Sequence, residues 1–482
     1  MQSRIVATMK DSFVKNWKHA IGTKQAEVAE VIVPSELTRS GIPFGVASGK
    51  KVYFPPFKGK PDNRSKIIVG PTGGGKTTFA VRYTLERPGA VVVFIVDDGA
   101  AADTLLLSLP AKRLEKTVLL DHSNKWLPLP VSLPRSVNID IFTTSGLANL
   151  WVHFFKTNFE VDGLYRTARL LQYACKAVFS VEGTVFYDVY RIIIEPDFRE
   201  YILSQLDNSD VLQWWIRYNK KSDHEQMQIA EAFLNRSDDL FNDIKVKHTL
   251  GYPPSENLQY RRWMDEGYTV IIKAPETLGE DFQRTIMGIH AQNFYLAAIS
   301  REDIPEADRE GFMMLADEAP NWLFTSAKIT KDIYSKGRKY GLGIMPMFQS
   351  FQQIAEESPA LLKIIRDNQP DLITFRTSNE RSPVKGWNME ELPDYHFVFK
   401  HKGHKPFLVS ALPPVKPIRT WQEVQGFVKS QHAQYNVTAK QAIQYIERSE
   451  SEWQAQSISD NTSSPASPGE TKPFSNSSAI IE

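Results

Sequence analysis

The most telling segment of the chain is Gly70-Pro-Thr-Gly-Gly-Gly-Lys-Thr-Thr78. It satisfies the pattern G-x-x-x-x-G-K-[ST] at every required position. Lys66-Ile-Ile-Val69 before it reads as a short buried strand, and Thr77-Thr-Phe-Ala-Val-Arg-Tyr-Thr-Leu85 reads as a helix. Glycines let the backbone curl so that successive N–H groups point inward, and the helix N-terminus adds partial positive charge. Gly70, Pro71, Thr72, Gly73, Gly74, Gly75 and Thr78 then form a cradle for phosphates. Lys76 reaches the β- and γ-phosphates, and the Thr77 hydroxyl ligates Mg²⁺. A turn that binds nothing has no need of the Lys-Thr pair. The loop predicts a nucleoside triphosphate, with ATP and Mg²⁺ as cofactors.

Beyond the helix, Ala90-Val-Val-Val-Phe-Ile-Val96 is a continuous apolar run ending at Asp97-Asp98-Gly99, as a parallel strand covered on both faces requires. Asp103 to Leu109 reads as a helix and Thr117 to Asp121 as a strand. This βαβα alternation predicts an α/β fold with a mainly parallel sheet and nucleotide at the carboxyl ends of its strands. Further strands are expected at Tyr268–Lys273, Phe312–Ala316, Gly343–Met347 and Leu372–Phe375, with a long helix from Asp281 to Ser300. His396–Lys400 and Pro406–Ser410 make a closing hairpin, and Gly45 to Phe54 makes another. Between Pro134 and Met264 the strand signal fades and helical periodicity replaces it, which predicts a mostly helical insertion. The expected organisation is an N-terminal arm at 1–45, the core at 46–133 and 265–425, the insertion at 134–264, a C-terminal helix at 426–449 and a disordered tail at 450–482. The arm includes an amphipathic stretch from Asp11 to Ala20 that reads as a packed helix.

With 482 residues the chain exceeds one simple core. Its net charge of +1 carries no whole-chain nucleic-acid signature, so any DNA contact must come from local basic patches. One cysteine, Cys175, excludes an internal disulfide framework and reads as an inert core thiol. No apolar stretch is long enough to span a bilayer and the N-terminus lacks a signal-peptide core, so a cytoplasmic location is expected, with a peripheral place at a membrane complex left open.

Phe312-Met-Met-Leu-Ala-Asp317-Glu318 is an apolar strand ending in two carboxylates. Asp317 is expected to hold the Mg²⁺ shell and Glu318 to polarise the attacking water. Gln349, at the end of the next apolar strand, is placed to sense the γ-phosphate. Arg338 is a candidate arginine finger acting across a subunit boundary. Lys328, Lys331, Lys336, Arg338 and Lys339 form either a solvated face or part of a DNA channel. Lys400-His-Lys-Gly-His-Lys405 reads as a basic hairpin turn, since a histidine pair without carboxylate or thiol support makes no metal site.

These residues together resemble the FtsK–HerA superfamily of P-loop ATPases, most of all the coupling-protein and HerA-type members of type IV secretion and conjugation. The resemblance rests on Gly70 to Thr78, the strand ending at Asp97-Asp98, Leu105 to Arg113, Thr117 to Asp121, Ala316-Asp-Glu-Ala319, Gly337 to Leu342 and Gln349, in order along the chain. The helical insertion between the two nucleotide motifs also matches. Where related proteins carry Asp-Pro-Lys-Gly, this chain has Asp97-Asp98-Gly99-Ala100, and it shows no transmembrane helices, so the resemblance covers the motor domain. It implies a ring-forming, hexameric motor that pumps double-stranded DNA, with relaxase or membrane secretion proteins as further partners. The alternatives are a secretion ATPase acting on protein partners and a nucleotide-gated assembly scaffold. An ABC-type ATPase is disfavoured because no Leu-Ser-Gly-Gly-Gln signature follows the loop.

Overall fold

The computed structural model describes residues 33–462 except 57–58, 96–98, 132–143, 159–163, 318–326, 358, 379–383 and 385. The expected arm helix, Asp97, Asp98, Glu318 and the chain after 462 lie outside the described residues. Among the described residues eleven strands form one sheet: β1 (Ile42–Ala47), β2 (Lys50–Phe54), β3 (Lys66–Val69), β4 (Val91–Ile95), β5 (Thr117–Asp121), β6 (Thr269–Lys273), β7 (Phe312–Ala316), β8 (Leu342–Phe348), β9 (Asp371–Thr374), β10 (His396–Lys400) and β11 (Phe407–Ala411). Their order is β2-β1-β11-β10-β9-β3-β8-β7-β4-β6-β5. From β9 to β5 every pairing is parallel, and from β9 to β2 every pairing is antiparallel. The α/β class is as the sequence predicts.

The parallel strands are buried along nearly their whole length, and successive residues feed opposite faces. Ile67, Val69, Val92 and Phe94 pack into one core, while Ile68, Val91, Val93 and Ile95 pack into the other. Each such side chain contributes about 1.5–3 kcal/mol of hydrophobic stabilisation, so both faces must be covered. The helix Lys76–Glu86 covers the second face with Phe79, Ala80 and Tyr83. Helices between Thr144 and Asp265 cover the first, and their core is continuous with that face of the sheet through Trp151, Phe155, Phe186 and Trp263. One of them, Asp223–Asn242, begins with a capping box in which Ser222 and Glu225 exchange hydrogen bonds.

Two expectations need correction. The C-terminal helix is two helices, Trp421–Tyr435 and Ala439–Thr462, and the second runs into the segment expected to be structureless. Glu450-Ser-Glu-Trp-Gln-Ala-Gln456 read as tail by its polarity, but it contains good helix formers and no Gly or Pro. The hairpin β10–β11 also does not end the sheet, because β1 pairs with β11 and carries β2 beyond it. At the opposite edge, Gln431 of the first C-terminal helix accepts the Leu119 N–H of β5 through Oε1, which shields that strand's outer side.

Candidate nucleotide site

The phosphate loop leaves the carboxyl end of β3 and is held there by the strands on each side. Gly70 N–H donates to the Phe348 carbonyl at 3.0 Å, and Phe375 N–H donates to the Val69 carbonyl at 2.8 Å. Glycine is required at Gly70 by close approach, because a Cβ there would sit 2.7 Å from Cβ of Phe375. It is required at Gly75 by backbone, because this helix N-cap has φ 102°.

Lys76 is buried and folds back over the loop, its Nζ donating to the carbonyls of Gly70 at 2.8 Å and Pro71 at 3.1 Å. The cation therefore lies directly over the concavity, held by contacts that a phosphate can displace. Thr77 makes the link to the acidic strand: its hydroxyl donates to Oδ2 of Asp317 at 2.8 Å. Asp317 is only 6% exposed, and its own N–H donates to the Phe94 carbonyl of β4 at 3.2 Å. A hydroxyl and a carboxylate at this spacing are hard oxygen donors suited to Mg²⁺, which takes one or two protein ligands and completes its shell with water and phosphate oxygens.

The strand order explains the third position. β8 lies between β3 and β7, so Gln349 emerges between the loop and Asp317 at the same end of the sheet. Gln349 is exposed; its N–H donates to Oε1 of Gln353, and its carbonyl accepts from Thr377. Arg338 is placed differently. It sits exposed in the turn Gly337–Tyr340 before β8, at the other end of the sheet from its own loop, roughly 20 Å away by strand rise. Any contact it makes with a loop has to be with a neighbour's.

A cavity of about 380 Å³ opens beside the loop, lined by Gly73, Thr78, Phe375, Arg376, Tyr395 and His396 among others. Its size and mixed lining suit a purine and a sugar next to the phosphate cradle. Sequence reasoning missed Phe375, Arg376 and Tyr395. They follow β9 and precede β10, and only the pairing of those strands with β3 and with each other brings them to the loop. Tyr395 holds φ 60° and is 80% exposed, an uncommon conformation for an aromatic residue that sets it apart from its neighbours in the cavity wall.

The sheet order, the loop and the helical insertion define a RecA-like P-loop core. The fold is that of the plasmid coupling protein TrwB. The structure of TrwB with the ATP analogue ADPNP matches with a TM-score of 0.55 at 16% identity, covering 80% of this chain and 93% of that one. The complex with ADP and Mg²⁺ matches with a TM-score of 0.54 at 16% identity over 81% and 94%. The complex with the GTP analogue GDPNP gives 0.53 at 15% identity over 81% and 95%. At these identities the likeness establishes the fold. No family model matches the chain, and no curated protein matches it in sequence. No helix among the described residues is long and apolar enough to cross a membrane.

Proposed function

We propose that this chain is a Mg²⁺-dependent ATPase of the conjugation and secretion class that moves DNA. The observation that carries the reading is the 2.8 Å contact between Thr77 and Asp317, which joins the phosphate loop to the acidic strand beneath a buried Lys76. TrwB, whose fold this chain shares, binds ADP with Mg²⁺ and analogues of ATP and GTP, which supports the same cofactors here. When bound, Mg²⁺ neutralises charge on the transferring phosphoryl group. Thr77 and Asp317 would hold the ion, and Lys76 would exchange the loop carbonyls for the phosphates. Thr72, Gly73 and Gly75 present backbone N–H groups, Glu318 orients and deprotonates water, and Gln349 reports the state of the γ-phosphate. With Arg338 far from its own loop, a neighbouring subunit's arginine completes the site in a hexameric ring.

A feature of the insertion supports nucleic acid as the substrate. Arg166, Arg169, Arg217 and Lys221 line a cavity of about 390 Å³ together with Trp214 and Tyr218. Trp214 stacks on Tyr173 with centroids 4.5 Å apart and planes 2° from parallel. The stacked rings stiffen this surface, and the cationic side chains grouped around them suit a sugar–phosphate backbone. The test is ATP hydrolysis by the purified chain with and without double-stranded DNA. Stimulation that fades as salt rises supports the motor. Stimulation by a secretion partner alone supports a protein-directed ATPase, and indifference to both refutes DNA movement.

A further inference from the structure

The turn between β10 and β11 carries a second set of ligand atoms, at the end of the sheet opposite the phosphate loop. His404 N–H donates to the His401 carbonyl at 3.1 Å, and Gly403 takes φ 80° to close the turn. This brings the two imidazoles to the same side, with centroids 5.4 Å apart and planes 24° from parallel. Glu36, which precedes β1 in sequence, reaches the same point: its Oε1 lies 3.1 Å from Nε2 of His404 and 4.0 Å from Nε2 of His401. One ligand atom from each residue fits within 4.8 Å of the others.

The fourth residue is Asp371, the first of β9. β9 and β10 run antiparallel with Leu372 opposite Lys400, so Asp371 falls beside His401. Its Oδ1 lies 2.7 Å from Nδ1 of His401, and both residues are buried. A proton on Nδ1 shared with a carboxylate leaves the Nε2 lone pair facing Glu36 and His404. Metal-binding histidines are oriented and made more basic in the same way. Asp371 is otherwise poorly satisfied, since its Oδ2 is buried with no hydrogen-bond partner among the described residues.

We infer that Glu36, His401 and His404 bind a divalent transition metal of the zinc type, with Asp371 supporting His401 and water in the fourth position. Two imidazoles and one carboxylate match zinc, whereas Mg²⁺ and Ca²⁺ prefer sets made of oxygen alone. Bonds of about 2.0–2.2 Å to a tetrahedral ion place ligand atoms about 3.4 Å apart. The side chains of Glu36 and His404, exposed by 50% and 38%, can close the remaining distance without moving the sheet. Two carboxylates, Glu36 and Asp371, balance the charge of the ion. A bare Glu36–His404 ion pair at this exposure would contribute little and would give Asp371 no role. The ion clamps the segment before β1 to the β10–β11 turn and so braces the antiparallel edge of the sheet. It stands apart from the nucleotide site and does not depend on the proposed ATPase reading.

The experiment titrates the full chain, stripped with a chelator and free of nucleotide, with Zn²⁺ against a chromophoric competitor, and with Co²⁺ by visible absorption. One Zn²⁺ per chain, strong tetrahedral Co²⁺ bands and a melting temperature raised by Zn²⁺ but not Mg²⁺ are expected. Glu36→Gln and His404→Ala change exposed side chains, and each should abolish the Co²⁺ bands and the thermal shift. Asp371→Asn should weaken binding by roughly 10- to 100-fold. No saturable zinc binding by the unaltered chain, or equal binding by His404→Ala, overturns the assignment.

Discussion

Thr77→Val isolates the contact on which the nucleotide site rests. Valine keeps the β-branched shape at the start of the helix Lys76–Glu86 and removes only the hydroxyl that donates to Asp317 at 2.8 Å. A hydrogen bond to a charged acceptor is worth about 1.5–3 kcal/mol, and Asp317 is nearly buried, so water replaces the lost donor poorly. In the proposed nucleotide complex the same hydroxyl would be one of two protein ligands for Mg²⁺, and losing an interaction of that size should weaken MgATP binding by about 10- to 150-fold. Nucleotide binding in EDTA should change little, because Lys76 and the loop N–H groups remain. The assay is the affinity of a fluorescent ATP analogue for wild type and variant, each measured with Mg²⁺ and with EDTA. Wild type should show a large gain from Mg²⁺ and Thr77→Val almost none. A variant that keeps the full gain would show that Thr77 and Asp317 do not hold the ion.

Three further outcomes are expected. Glu318→Gln should bind ATP normally while turnover collapses, as read by steady-state hydrolysis beside a binding titration; normal turnover would remove Glu318 from the reaction. Arg338→Ala and Lys76→Ala proteins, each inactive alone, should regain partial ATPase activity when mixed, and no recovery in rings shown to be mixed would exclude a trans role for Arg338. His122 and His290 share a hydrogen bond at 2.9 Å in the core, where burial lowers His122 to about 4 and holds His290 well below its ordinary value. The unfolded chain takes up these protons first, so stability should be flat above pH about 6.5 and should fall towards pH about 4, by about 3 kcal/mol for His122 alone. Denaturation midpoints across that range should fall less steeply in His122→Gln, and an equal slope would refute the assignment.

The local code carried much of this architecture. Lys66–Val69, Thr117–Asp121 and Phe312–Ala316 are strands at the residues where continuous apolar runs predict them, and the helix after the loop starts at Lys76. What periodicity cannot carry is which strand lies beside which. β1 meets β11, and β8 lies between β3 and β7, because of packing between segments hundreds of residues apart. The cavity beside the loop and the Glu36–His401–His404 triangle are assembled by those same pairings, so neither leaves a mark in any short window of sequence. The basic turn at Lys400 to Lys405 lacked a carboxylate only because the carboxylate comes from the far end of the chain.

The position of β3 also constrains how the protein is made. Its two neighbours are β8 and β9, and Val69 pairs with Phe348 and Thr374. On a ribosome the phosphate loop therefore emerges long before anything that can hold its strand. At about 5–20 residues per second, some 15 to 55 seconds separate β3 from β8. During that interval the nascent chain can build its helical insertion on β4, β5 and β6, but it lacks the strands that frame the nucleotide pocket. Fragments released early should thus be unable to capture nucleotide, and the unpaired apolar β3 makes them natural clients for chaperones.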